Sequence, residues 1–64
     1  MTTPLEALPA IGAPATRALN NAGYTQLRQL AGVPASELSK LHGVGPKAVR
    51  LIEQALEEHG LALA

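Results

Sequence analysis

His42, Gly43, Val44, Gly45, Pro46 and Lys47 form the one stretch of this sequence whose residue types and spacing suggest ligand chemistry. Two glycines bracket a single apolar residue, and a proline follows at once. Glycine accepts the positive φ of a tight reversal, and proline fits the first position of a helix, where no backbone N–H is missed. The spacing therefore predicts a helix, a tight hairpin and a second helix. The N–H groups around Gly43 and Gly45 then have no partner within the chain. They also lie at a helix start, whose dipole favours an anion. Lys47 adds a full positive charge in the first turn, and His42 adds another when protonated. Phosphate is the anion these groups suit best. The competing reading is a helix–helix corner that takes two glycines for geometry alone.

Apolar residues on both sides must position that hairpin. Leu38 and Leu41 precede it, and Val49, Ile52 and Leu56 follow on one face, with Ala48 and Ala55 beside them. The longest helix is expected from Pro46 to about His59, ended by Gly60, with Leu61 and Leu63 folding back onto the core. At the other end of the chain, Thr3-Pro4-Leu5-Glu6 reads as a capped helix start that Pro9 and Gly12 soon interrupt. A second helix is expected from Ala13 or Pro14 to Asn21 or Ala22. Ala15, Ala18, Leu19 and Ala22 form its apolar stripe, and Gly23 ends it. Thr25 is placed to cap a third, Gln26 to Ala31, with Leu27 and Leu30 inward. Val33-Pro34-Ala35-Ser36 leads into a fourth that carries Leu38 and Leu41. The expectation is all-α, with five short helices.

The chain also repeats itself. A shift of 33 positions lays Leu5 on Leu38, Leu8 on Leu41, Gly12 on Gly45, Ala15 on Ala48, Arg17 on Arg50 and Ala22 on Ala55. Similar residues meet as well: Thr3 with Ser36, Ile11 with Val44, and Leu19 with Ile52. This predicts two units, residues 3–23 and 36–60, joined by a connecting helix at 25–31. Neither unit has enough apolar surface to fold alone, so the two should pack about a pseudo-twofold axis that brings both hairpins to one side. Duplex DNA carries the same approximate symmetry in its two strands. Arg17 and Arg50 then hold equivalent places, either reaching an external anion or tied locally, as Arg50 to Glu53 or Gln54. The first hairpin, Pro9 to Pro14, has one glycine and no charge, and its two prolines remove two N–H donors.

Composition bounds the rest. With 64 residues the chain is expected to form one domain, 1–64. It has no cysteine, and Tyr24 is its only aromatic residue, so leucine and alanine must fill the core. The formal net charge is zero, which counts against a strong non-specific nucleic-acid binder. The distribution is less even: Lys40, His42, Lys47 and Arg50 occur with no acid among them, and Glu53, Glu57 and Glu58 follow. No Asp or Cys is present and the two histidines are far apart, so neither catalysis, a metal site nor a cofactor is expected. Met1-Thr2-Thr3-Pro4 carries no secretion signal, and no apolar run approaches the ~20 residues of a membrane span. A cytoplasmic monomer is the expectation.

The pattern Leu38-x-x-Leu41-x-Gly43-Val44-Gly45-Pro46-Lys47 resembles the helix-hairpin-helix motif of DNA-binding proteins. A wider likeness runs from about Leu8 to Leu63. Leu19, Gly23-Tyr24-Thr25, Leu30, Leu38, Gly45-x-Lys47, Ile52, Leu56 and Gly60-Leu61-x-Leu63 together resemble the RNA polymerase alpha C-terminal domain of bacterial-type enzymes. That resemblance implies a SAM-like five-helix fold that binds the DNA minor groove and regulatory proteins, with Gly45 and Lys47 at positions that contact DNA backbone. Where that family has its main minor-groove arginine this chain has Pro14. Arg17 stands for a nearby asparagine, and Ala48 for the serine after the lysine. The Gly-Pro-Lys run is more similar to the tandem helix-hairpin-helix modules of repair and recombination proteins. The implied function is a module that grips duplex DNA backbone without reading sequence. Its site residues are His42, Gly43, Val44, Gly45, Lys47 and Arg50, with Gly12 and Arg17 from the first unit. Affinity is expected at ~10⁻⁴–10⁻⁶ M at physiological salt. The alternative is a protein-interaction domain that keeps the scaffold and has lost the DNA surface.

Overall fold

Prolines and glycines set the limits of the two longer helices among the described residues. The computed structural model describes residues 3–64; Met1 and Thr2, where the reading for a secretion signal begins, lie outside them. The order is α1 (Ala13–Asn21), a 3₁₀ turn η1 (Leu27–Leu30), α2 (Ala35–Ser39) and α3 (Pro46–Glu57). Among the described residues all regular structure is helical and there is no strand. Both longer helices have proline in their first two positions, and neither has a side-chain cap at its start. Both end alike. Tyr24 N–H donates to Leu19 O (2.8 Å) beyond Gly23, and Leu61 N–H donates to Leu56 O (2.9 Å) beyond Gly60. Gly23 and Gly60 take φ of 94° and 72°, the left-handed conformation that lets the chain turn back and satisfy the last carbonyls.

Among the described residues three α-helices and one 3₁₀ turn stand in place of the five helices expected. The segment from Thr3 to Leu8 makes a turn, closed by Ala7 N–H on Pro4 O at 3.2 Å. Pro9 explains why it goes no further: it has no N–H to return to Leu5 O, and it disfavours helical dihedrals at Leu8. The carbonyls thus left over are used elsewhere. Leu27 N–H donates to Ala7 O (2.9 Å) and Arg28 N–H to Leu5 O (3.1 Å), so the segment serves as an acceptor strip for the start of η1. Thr25 is not the cap of η1. Gln29 Oε1 accepts from the N–H groups of both Thr25 (2.7 Å) and Gln26 (2.9 Å), reaching back over the turn. Leu41 lies beyond α2, which stops at Ser39.

The core is wholly aliphatic. Leu19, Leu27, Leu30, Leu38, Ile52 and Leu56 are fully buried, each stabilising by about 1.5–3 kcal/mol through removal of apolar area from water. Ala15, Ala48, Val49, Ala55 and Val44 complete it. Tyr24, Leu61 and Leu63 pack against it partly buried, whereas Ala22, expected on the α1 stripe, is exposed. The C-terminal tail is held by backbone bonds. Gly32 N–H donates to Ala62 O (2.9 Å), Ala64 N–H to Val33 O (2.9 Å) and Ala35 N–H to Ala64 O (3.3 Å). Among the described residues no helix is long and apolar enough to cross a membrane.

Candidate nucleic-acid interface

The start of α3 is built from three residues with distinct tasks. Gly43 makes the reversal, with φ of 100°. A Cβ on it would stand 2.9 Å from Pro14 O, so the hairpin lies against the first turn of α1 at a distance only glycine permits. Val44 is the anchor: its side chain is 6% exposed and its N–H donates to Leu41 O at 3.1 Å. It therefore supports the hairpin from beneath, and its own N–H is already taken within the chain. Gly45 precedes the helix in extended conformation, with φ of −100°, and a Cβ there would meet nothing within 4 Å.

This geometry leaves donors free. Among the described residues, no protein acceptor receives the N–H of Gly43, Gly45, Lys47 or Ala48. At the first hairpin the same holds for Gly12, Ala13 and Ala15. An N–H at a helix start with no partner in the chain is left for water or an anion. Gly12 has φ of 93° and ψ of 156°, a conformation essentially confined to glycine. Gly12 and Gly45, counterparts under the repeat, thus differ in backbone conformation.

The turns before α1 and α3 come together on one side of the molecule. Gly12, Gly43, Gly45 and Lys47 line a single open depression of about 400 Å³ with Ile11, Ala48 and Leu51 in its wall. Next to it, sharing Gly43, lies a depression lined by Pro14, Arg17, Ala18, Asn21 and His42. On its other flank, sharing Lys47 and Leu51, is one lined by Pro46, Arg50 and Gln54. All the expected site residues except Val44 are on this surface. Asn21 and Leu51 belong to it too, and nothing in their residue types or spacing singled them out.

Charge separates this surface from the rest. Arg28 pairs with Glu6 at 3.1 Å and Lys40 with Glu37 at 3.7 Å. Among the described residues, Arg17, Lys47 and Arg50 have no acid within pairing distance, so the local tie to Glu53 does not form. His59 bonds Thr3 O through Nε2. Among the described residues no group of three or more His, Cys, Asp or Glu is placed to hold a metal ion. Compared with models of known families and with curated proteins, the chain matches none.

Proposed function

We propose that this chain is a small DNA-binding module that grips duplex backbone through two helix-hairpin-helix units, without reading base sequence. The observation that carries the reading is the coincidence of unpaired backbone N–H groups and unpaired cations on one surface. Gly43, Gly45, Lys47 and Ala48 offer donors there, and Arg17, Lys47 and Arg50, which have no acid among the described residues, border the same depressions. Main-chain N–H groups and point charges recognise phosphate and carry no base information, so selectivity among sequences is poor. The paired-unit arrangement draws support from helix geometry. The two long helices begin at Ala13 and Pro46, 33 residues apart as in the sequence repeat, and end in the same type of cap.

The second hairpin carries most of the contact. It has Lys47 in the first turn, where the first hairpin has Pro14 without an N–H. Lys47→Glu is therefore the direct test. It should abolish detectable binding to a duplex at low salt while the fold survives, because the first turn of a helix suits glutamate better than lysine. Unchanged affinity in a folded Lys47→Glu chain contradicts the site.

The alternative, a protein-interaction domain on the same scaffold, is favoured by two observations. The chain is neutral overall, and Ala10, Ile11 and Leu51 give the central depression apolar walls. Wild-type protein that ignores duplex DNA at millimolar concentration would decide for it.

A further inference from the structure

The acids of α3 have no use in DNA binding, and their placement points to a second occupant of the same helix. Lys47, Arg50, Gln54 and Glu57 are exposed, and their spacing puts them on one stripe of α3, away from buried Val49, Ile52 and Leu56. The stripe is basic at its N-terminal end and acidic at its C-terminal end, an order that opposes the helix dipole. Helix stability therefore does not account for it. Nor does local pairing. Among the described residues Lys47, Arg50, Glu53 and Glu57 have no ion-pair partner, even though Arg50 and Glu53 stand three apart. The carboxylate of Glu58 already accepts from Thr3 N–H at 3.2 Å, which leaves Glu57 as the free acid at that end.

Such a stripe is complementary to itself under a twofold rotation. A second α3 laid antiparallel and centred on Ile52 sets Lys47 of each copy opposite Glu57 of the other. Arg50 then faces Gln54 of the second copy, between its Glu53 and Glu57. Antiparallel helices also set their dipoles in the favourable sense, and half-buried Leu51 adds apolar contact at the edge. We propose that the chain self-associates weakly through this face of α3. Since the pairing covers Lys47 and Arg50, the second copy competes with DNA for them. Only the competition rests on the DNA reading; the pairing stands without it.

The test uses sedimentation of the full chain at low salt and without DNA. Wild type should pass from monomer to dimer between about 10 μM and a few mM, the range of a weak polar contact. Two variants reverse opposite ends: Lys47→Glu with Arg50→Glu, and Glu53→Lys with Glu57→Lys. Each should remain monomeric, because facing charges become alike. Lys47→Glu and Glu57→Lys both agree better with the dipole, so helicity by circular dichroism should be kept. Mixing the two variants should restore association, at least about tenfold stronger than either alone. A control chain with Arg28→Glu and Lys40→Glu has the same net charge as the first variant, and mixed with the second it should stay apart. A monomeric wild type, a dimer insensitive to either reversal, or equal association of the control overturns the proposal. None of these outcomes touches the DNA reading.

Discussion

Gly43 holds the hairpin together through its lack of a side chain, and its neighbour Gly45 does not. Alanine at 43 must adopt φ near 100° and place its methyl group 2.9 Å from Pro14 O. Gly43→Ala should therefore cost at least about 1–3 kcal/mol, the range for a strained backbone position, before the contact is counted. Gly12→Ala should cost about 1 kcal/mol or more, because φ there is 93° with only Pro14 Cδ at 3.9 Å. Gly45→Ala should stay within about 0.5 kcal/mol of wild type and reduce only DNA affinity, by keeping phosphate from the main chain. Thermal unfolding beside a DNA titration of each variant ranks them. If Gly45→Ala is as destabilising as Gly43→Ala, the backbone assignment is wrong. Sequence told that two glycines belonged here, but φ depends on what lies across the hairpin. The Pro14 carbonyl, 29 positions away, is what decides between them.

Helix starts at Ala13 and Pro46 and ends at Gly23 and Gly60 were legible because proline, glycine and apolar spacing are local signals. The first segment misleads for the same reason. Thr3, Pro4 and Glu6 spell a helix start, yet Pro9 cuts the helix short, and the carbonyls of Leu5 and Ala7 find donors at Arg28 and Leu27. Likewise, the backbone bonds of residues 62–64 to 32–35 carry no residue-type signature. At η1 the capping role falls to Gln29, whose Oε1 accepts two backbone N–H groups. Gln29→Ala should cost about 1 kcal/mol, as loss of a helix-start cap does, though its side chain is on an exposed residue. Denaturant unfolding with an unchanged m-value checks it; no loss of stability would mean that water replaces Gln29 there.

For the whole molecule, the placement of the charges makes neutrality compatible with the proposed DNA binding. Pairing Arg28 and Lys40 with acids leaves Arg17, Lys47 and Arg50 on the hairpin side. With so few cations, the logarithm of affinity should fall with the logarithm of salt with a slope of about −2 to −3, far shallower than for a strongly basic binder. A slope near zero would mean that phosphate is not what the surface holds. The second hairpin was readable because Gly-Val-Gly-Pro-Lys is continuous in sequence. The joining of three depressions through Gly43 and Lys47 was not, because it arises only when α1 packs beside that hairpin. The most direct test is to follow the backbone amides of isotopically labelled chain by NMR while a duplex is added at low salt. Shifts confined to residues 42–50 and 12–17, saturating at a dissociation constant of ~10⁻⁴–10⁻⁶ M or tighter, are predicted. Absence of any shift at millimolar DNA, or shifts confined to the tail at 61–64, would contradict the claim that the hairpins grip DNA.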